Sequence, residues 1–223
     1  MKIENLSYFK EYNENGDVME LMEIFDNMKE TRKLMHPYRS AIEVVTTKLH
    51  NIDDELKCEN GYSPIHNIQS RIKTPQSIID KLKRKKLPIT LEGLNQLNDI
   101  AGLRVVCHYI NDIQYISQLF IMNEDIQLIK KENYIDYPKE SGYRSLHLVV
   151  KVPIYLKTGV TYVPVEIQLR TISMDSWASL EHVLSYKSEQ PIDIEIRERL
   201  KKCARKMAEV DLEMQKISQE LKK

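Results

Sequence analysis

The stretch YIDYPKESGYRSLHLVV, residues 134–150, joins a loop to a run of alternating apolar side chains. Such alternation is typical of a strand with one buried face, because successive side chains of a strand point to opposite sides of the sheet. The two faces of this predicted strand carry Leu146, Leu148 and Val150, and Ser145, His147 and Val149. The stretch therefore predicts a sheet, with His147 on its more polar face.

The loop ahead of this strand contains residues suited to a nucleotide. Pro138 and Gly142 bracket it, as expected for a turn. Between them Lys139 could meet a phosphate, and Tyr143 offers a flat ring on which a base could lie. An ordinary solvated turn with a half-buried tyrosine is the alternative, and other segments decide between the two.

The middle of the chain alternates between strand and helix patterns. Strands are predicted at 103–110, 126–131, 145–152 and 161–170, and helices at 75–86, 112–122 and 172–186. The connections are short enough for neighbouring strands to run antiparallel. We expect an α/β (α+β) fold with a mixed, largely antiparallel sheet of about five strands flanked by helices. The strand order is not determined.

Helical segments lie on both sides of this core. We predict one helix from Asp17 to Met35, ending near His36 and Pro37, because the residue before a proline disfavours helix. Apolar residues spaced alternately three and four positions apart predict a second helix and a C-terminal helix. Their apolar residues are Ile42, Val45, Leu49, Ile52 and Leu56, and Ile196, Leu200, Cys203, Met207, Val210, Met214, Ile217 and Leu221.

The C-terminal spacing is a heptad seam, which must be buried against another helix. Contact with a second subunit and packing within the chain both remain open, and we favour the subunit contact. We divide the chain into an N-terminal helical extension at 1–62, a core domain at 63–188 and an amphipathic helix at 189–223.

Composition excludes several classes of protein. Lys plus Arg and Asp plus Glu both number 33, so no basic excess is available for general DNA or RNA binding. The 3 cysteines are far apart and odd in number, which suggests neither a disulfide framework nor a zinc motif and fits the reducing cytoplasm. No apolar run has the length of a membrane span, and the first residues lack a signal core.

Residues 70–86 predict an anion site at the start of a helix. Thr74 followed by Pro75 is an N-cap with a first-turn proline, and the amides there favour an anion by about 0.3–1 kcal/mol. Five polar or basic side chains would surround this helix start: Arg71, Lys73, Ser77, Lys81 and Arg84. A solvated basic helix is the alternative.

Two of the predicted strands place polar residues on one face. Arg104 shares a face with His108, and Glu166 shares a face with Gln168 and Arg170. These residues are consistent with the floor of a cleft, in which Arg104 could stack on a purine. Its alternative role is a salt bridge with Asp99 or Glu166. The same two carboxylates could bind Mg²⁺ together with substrate phosphates.

The helix at 172–186 contributes both predicted core and candidate site residues. Trp177, Leu180 and Leu184 are expected in the core, whereas Asp175, Glu181 and His182 could belong to a site or to the surface. Zinc and serine-hydrolase chemistry are set aside, because the motifs HExxH and GxSxG are absent.

Five ordered motifs resemble the synthetase domain of RelA/SpoT-type alarmone synthetases. They are RIKTPQSIIDKL, DIAGLRV, YIDYPKESGYRSLH, VEIQLRT and WASLEHVLSYK, between residues 68 and 187. SGYRS and the EHxLxYK ending are more similar to small, single-domain members than to the long bifunctional enzymes. The resemblance implies a nucleotidyltransferase-like core, homotetramers, and transfer of the β,γ-diphosphoryl group of ATP to the 3′-hydroxyl of GDP or GTP.

The resemblance also implies a role for each motif residue. ATP would be held by Arg71, Lys73, Ser77, Lys81, Arg84 and Arg104, and GDP or GTP by Lys139, Tyr143, His147, Gln168 and Asp175. Asp99 and Glu166 would bind Mg²⁺ and act in catalysis, with Glu166 as the base. Tyr143 would stack on guanine, and Asp175 could accept from its N1 and N2 groups.

One departure from the family pattern concerns the loop. Asp136 and Tyr137 precede Pro138, where similar proteins often carry a basic or amide residue. An acid near the 5′ phosphates would disfavour the more highly charged GTP, so we expect a preference for GDP. The His-Asp dyad of the family's hydrolase half does not precede the synthetase motifs, and no hydrolysis of the product is expected.

Two other functions remain possible from the sequence. A nucleotidyltransferase that releases pyrophosphate would use a Gly-Ser turn followed by paired aspartates, and no such pair stands on a predicted strand. A non-catalytic nucleotide sensor or RNA-binding module would have no need of both Asp99 and Glu166.

Overall fold

A single mixed sheet forms the centre of the computed structural model, which describes residues 20–187 and 193–221. The strand order is β1-β2-β5-β4-β3. The strands are β1 (Ile65–Ile72), β2 (Ala101–Cys107), β3 (Gln127–Asn133), β4 (Leu146–Leu156) and β5 (Gly159–Thr171). Only β2 and β5 run parallel; the other neighbouring pairs are antiparallel. The predicted fold class, five strands in a largely antiparallel sheet, is confirmed.

Seven helices surround this sheet in the described residues. They are α1 (Leu21–Asp26), α2 (Met28–Asn60), α3 (Pro75–Arg84), α4 (Leu91–Leu94), α5 (Ile110–Ile121), α6 (Ile172–Lys187) and α7 (Ile194–Leu221). Helices α2 and α5 pack on β2 and β5, where they bury alternate residues such as Val105 and Ile167. The side chains that alternate with these buried residues along β2 and β5 point to the other face of the sheet, where polar side chains are concentrated.

The division between the first two helices differs from the prediction. Helix α1 ends at Asp26, and the side chain of Asn27 caps α2 by accepting hydrogen bonds from the amides of Lys29 and Glu30. Pro37 does not end a helix but lies inside α2. A proline inside a helix costs about 3 kcal/mol, and burial of the adjoining helix face offsets it. The expected start, with Asp17 and Val18, lies outside the described residues.

The edge strand β1 was not among the predicted strands. Its sequence, IHNIQSRI, does not alternate, and most of its residues are exposed or half-buried. Its backbone pairs with β2 from Ile72 opposite Ala101 to Ile65 opposite Cys107. Backbone pairing with β2 therefore makes this segment a strand, although its own side-chain pattern does not predict one.

The C-terminal helix uses a face other than the predicted seam to bind its own chain. Ala204, Ala208 and Asp211 are buried, and Asp211 accepts a 2.6 Å hydrogen bond from the Thr171 hydroxyl at the end of β5. Of the seam, only Leu200 and Met207 pack partly against the core. The rest of the seam is exposed: Ile196, Cys203, Val210, Met214, Ile217 and Leu221. Packing within the described chain therefore leaves most of the seam uncovered.

Helix α6 buries less than expected. Trp177 is buried, and its indole N–H donates to the carbonyl of Leu200 at 3.0 Å. Leu180 and Leu184, predicted in the core, are instead 61% and 51% exposed. Their spacing suits a helix with a wide apolar face, but the groups that pack on α6 reach only the side of Trp177. None of the helices in the described ranges is long and apolar enough to cross a membrane.

Candidate active site

A row of polar side chains crosses the open face of the sheet. Strand register aligns one residue from each strand: Gln69, Arg104, Gln168, His147 and Glu132. The next row pairs Arg71 with Gly102 and Gly102 with Glu166. Each row joins strands from different parts of the chain, so residues that are distant in sequence come together in one site. Glu166 and Gln168 on the central strand β5 form the middle of its floor.

One end of the site is built around Asp99, just before β2. The ammonium of Lys73 lies 3.0 Å from Asp99 Oδ2, and the ammonium of Lys81 on α3 binds the same oxygen. Burial acts to raise the pKa of Asp99, but the hydrogen bonds from Lys81 and Lys73 outweigh it and lower the pKa below its ordinary value. The carboxylate is therefore charged and held by two cations.

The start of α3 has the predicted cap. The Thr74 side chain accepts from the amide of Ser77, and Pro75 opens the helix. Ser77 and Arg84 are exposed on this helix. The expected convergence of five groups is thus only partial: Lys73 and Lys81 turn to Asp99, while Ser77 and Arg84 face solvent beside them.

A cavity of about 90 Å³ lies on the sheet floor between β1, β2 and β5. Arg71 and Arg104 line it together with Glu166 and Gln168. Gly102 also lines it, and a Cβ there would lie 3.7 Å from Cγ of Arg71, an ordinary contact. The two guanidinium groups therefore border a space whose floor holds the carboxylate of Glu166.

Arg104 has a different partner from those considered in the sequence. Its Nη1 lies 3.3 Å from Asp175 Oδ1 on α6, and it also donates to Gln69 at 3.4 Å. The alternative of a salt bridge to Asp99 or Glu166 is therefore wrong. Burial and the positive charge of Arg170 lower the pKa of Arg104 from its usual value.

The other end of the site is aromatic. Tyr143 and Tyr134 meet edge to face, with ring centroids 6.2 Å apart, and both rings contact the imidazole of His147. The Lys139 ammonium lies 4.5 Å from the Tyr134 ring centroid and 5.1 Å from that of Tyr143. The predicted loop residues are thus brought together. Tyr134 was not predicted as a site residue, although it begins the same stretch.

Arg170 is the residue that sequence reasoning placed on the correct face but did not assign to the site. It is only 4% exposed, and its guanidinium lies 5.0 Å from the Tyr143 ring centroid. It donates to the Tyr143 hydroxyl at 2.7 Å, to Gln168 Oε1 at 2.8 Å and to Asp175 Oδ1 at 3.1 Å. An arginine on a central strand must have such partners, which was the available signal.

Glu166 links the two ends. Its Oε2 accepts from the Gln168 amide at 3.0 Å, and its Oε1 lies 3.7 Å from Nδ1 of His147. Burial lowers the pKa of His147 to about 4, and the positive charges of Lys139 and Arg170 act in the same direction. The imidazole is therefore neutral near pH 7. The acid at 166 borders both the arginine-lined cavity and, through His147, the tyrosine cluster.

Comparisons with known proteins indicate the family of this chain. Residues 70–191 match the model of the region found in RelA / SpoT proteins. GTP pyrophosphokinase YwaC of Bacillus subtilis (strain 168) is 37% identical over 195 residues, which are 87% of this chain and 93% of that protein. GTP pyrophosphokinase YjbM of the same organism is 37% identical over 193 residues, 86% of this chain and 90% of that protein.

A solved structure extends the likeness to the whole fold. The crystal structure of small alarmone synthetase 1 from Bacillus subtilis, bound to its product pppGpp, superposes with a TM-score of 0.81. The two sequences are 36% identical, and the match covers 87% of this chain and 100% of the other. This chain therefore belongs to the RelA/SpoT family, alongside the small alarmone synthetases.

Proposed function

We propose that this protein is a (p)ppGpp synthetase, which transfers the β,γ-diphosphoryl group of ATP to the 3′-hydroxyl of GDP or GTP. The products are AMP and ppGpp or pppGpp. The observation that carries this proposal is the position of Glu166, between the cavity lined by Arg71 and Arg104 and the aromatic cluster around Tyr143. A group at that point can serve a reaction between two nucleotides. The names and bound product of the similar proteins support the same reaction.

ATP would occupy the basic end. Arg71 and Arg104 would take the adenine between their planar guanidinium groups, which suit stacking. Its phosphates would be bound by Lys73, Ser77, Lys81 and Arg84. Each lysine ammonium has three N–H donors, so Lys73 and Lys81 can bind phosphate oxygens while they still hold Asp99.

GDP or GTP would occupy the aromatic end. Tyr143 would stack on guanine, and Lys139, His147 and Gln168 would contact the acceptor. Asp175 Oδ1 already pairs with Arg104 and Arg170, so we assign its second oxygen to the guanine N1 and N2 groups. A carboxylate that accepts from two N–H groups of one base edge selects guanine over adenine.

Glu166 would act as the general base. It would accept the proton of the 3′-hydroxyl while the 3′-oxygen forms a bond to the β-phosphorus of ATP. The bond from this phosphorus to the α,β-bridging oxygen breaks, and AMP leaves with that oxygen. Phosphoryl transfer depends mainly on positioning and charge neutralisation, which the surrounding cations provide.

The residues present fit Mg²⁺, which we propose as the cofactor. Asp99 Oδ1 is buried without a hydrogen-bond partner in the described part of the chain, which leaves it open to a cation. In the same residues no group of three or more His, Cys, Asp or Glu side chains is arranged to hold a metal. Asp99 and Glu166 would therefore share Mg²⁺ with substrate phosphates, as is usual for this ion. Bound there, it would neutralise charge on the diphosphoryl group.

We further propose a homotetramer and a cytoplasmic location. The exposed seam of α7 supports association of subunits, since apolar positions at heptad spacing are otherwise left in water. All three cysteines are free thiols, as expected in a reducing compartment.

Incubation of the purified protein with labelled ATP, GDP and Mg²⁺, followed by separation of the nucleotides, tests the reaction. We expect AMP and ppGpp in equal amounts. Glu166→Gln should lower turnover by about 10²-fold or more, because it removes the base and a metal ligand. The matched control, Glu124→Gln, changes an exposed glutamate outside the site and should be without effect. AMP without ppGpp, or release of pyrophosphate, would indicate a different transferase.

A further inference from the structure

Two chains of polar contacts lead from Arg170 to the two oxygens of Glu166. Nη2 of Arg170 donates to Gln168 Oε1 at 2.8 Å, and Gln168 Nε2 donates to Glu166 Oε2 at 3.0 Å. Nη2 also donates to the Tyr143 hydroxyl at 2.7 Å, which lies 2.8 Å from Nε2 of His147. Nδ1 of His147 then faces Glu166 Oε1 at 3.7 Å. One nitrogen of a buried arginine thus stands at the head of both chains.

The arginine fixes the direction of its own two bonds and, through the amide of Gln168, that of the bond to Glu166. A guanidinium only donates, so the Gln168 oxygen must point to Arg170 and its amide nitrogen to Glu166. The Tyr143 oxygen likewise accepts from Arg170, which leaves its own hydrogen available to His147. With Nε2 as the acceptor of that hydrogen, a neutral imidazole carries its proton on Nδ1, which faces Glu166.

The last contact, at 3.7 Å, is longer than a hydrogen bond. Catalytic contacts are often long without substrate and shorten when it binds. Asp175 fixes the head of the chains, because its Oδ1 receives Nη1 of Arg170 at 3.1 Å. The same oxygen lies 3.3 Å from Arg104, so the donor and acceptor ends of the site share this anchor.

We propose that Arg170 is a positioning residue of the synthetase reaction. It sets the amide of Gln168 and the tautomer of His147, and both then hold the carboxylate of Glu166 in the orientation that accepts the 3′-hydroxyl proton. Arg170 itself touches neither substrate nor reacting atoms in this role. The inference rests on the proposed function, because it assigns a task to the base of that reaction.

Steady-state kinetics on two variants test the role. Tyr143→Phe keeps the ring for guanine but removes the hydroxyl from one chain. Arg170→Lys keeps the charge but removes the guanidinium that donates to both Gln168 and Tyr143. We expect kcat to fall about 10-fold or more in Arg170→Lys, and KM for ATP and GDP to stay within about threefold. Arg199→Lys, an exposed arginine of α7, is the matched control and should be silent.

The double variant separates positioning from independent effects. If both residues act in the same chain, Tyr143→Phe should lower kcat in the wild type but add little in the Arg170→Lys background. Losses that multiply would overturn the proposal, as would an unchanged kcat or a loss seen only in KM for GDP. Wild-type turnover and its loss in Glu166→Gln, measured alongside, test the reaction separately.

A spectroscopic measurement covers the case in which Arg170→Lys does not fold. The ¹⁵N shifts of histidine distinguish the two neutral tautomers, and the His147 signal is identified by its absence in His147→Gln. We expect the Nδ1–H tautomer in the wild type and loss of that preference in Tyr143→Phe. An Nε2–H tautomer in the wild type would disprove the chain.

Discussion

Gly142 lies directly against Ala204 of α7, so that a Cβ on Gly142 would come within 2.7 Å of the Ala204 Cβ. The backbone of Gly142 has φ +95°, a value that residues other than glycine rarely adopt. The loop that carries Lys139 and Tyr143 therefore rests on the C-terminal helix, and two separate constraints require glycine at this point.

The first prediction concerns this contact. Gly142→Ala should lower the free energy of unfolding by about 1–3 kcal/mol from backbone strain alone, with a further loss from the clash. It should also raise KM for GDP, because the loop has to move. Urea unfolding and steady-state kinetics measure the two effects.

Gly61→Ala is the matched control for Gly142→Ala. Gly61 also has a positive φ, +66°, but no atom lies within 4 Å of its would-be Cβ. It should show the strain without the clash. Equal losses in both variants would mean that the contact with Ala204 does not matter, and Ala204→Gly should restore part of the stability of Gly142→Ala.

The second prediction is a pH dependence of stability. The pKa of His147 is lowered to about 4 in the folded chain, whereas an unfolded histidine titrates near 6.5. Between these values the unfolded chain binds more protons, so stability is complete above about pH 6.5 and is lost as the pH falls toward 4. The loss from this group is at most about 3 kcal/mol.

Chemical unfolding at several pH values measures this slope. His147→Gln should flatten it between about pH 6.5 and pH 4, since the titrating group is gone. His36→Gln, at an exposed position of α2, should leave it as in the wild type. An unchanged slope in His147→Gln would show that other groups cause the acid sensitivity.

The third prediction is a preference for GDP over GTP. The exposed carboxylate of Asp136 is held by a 2.7 Å hydrogen bond from Asn133 Nδ2, close to the loop with Lys139. Its negative charge should disfavour the additional phosphate of GTP. Because the group is exposed, Asp136→Asn should change the ratio of kcat/KM values by about two- to fivefold in favour of GTP, and less at high salt.

Side-by-side assays with GDP and GTP decide this point. Asp54→Asn removes an exposed carboxylate from α2 and should leave the ratio unchanged. Equal or better turnover of GTP by the wild type would refute the preference.

The fourth prediction concerns the seam of α7. Met214 and Ile217 are 50% and 43% exposed, and a charge there should prevent burial against a partner helix. Ile217→Asp should therefore reduce the sedimenting mass, while Lys216→Asp, one residue away and off the seam, should not. A wild-type chain that sediments as a clean 26.3 kDa monomer at low micromolar concentration would contradict the subunit contact.

Local patterns were enough to predict most elements of the core. The alternation in β5 separated Ile167 from Glu166 and Gln168, and the cap at Thr74 marked the start of α3. Such signals are carried by neighbours in sequence, because the period of a strand and the cap of a helix depend on a few adjacent residues. The five motifs likewise indicate the family from the sequence alone.

Errors arose where distant partners outweigh local preference. Pro37 is accommodated inside α2 because its neighbours are buried, and β1 exists because β2 offers its edge. Leu180 has the spacing of a core residue, but the described parts of the chain leave it 61% exposed. In each case the deciding energy comes from contacts between segments far apart in the chain.

The sequence by itself determined which side chains share the polar face of each strand, since that depends only on the two-residue period of a strand. Only the tertiary structure decided that β5 lies between β2 and β4, which brings Arg170 to Tyr143 and Glu166 to His147. Strand order is set by the summed burial and hydrogen bonding of the whole sheet, and no single segment encodes that sum.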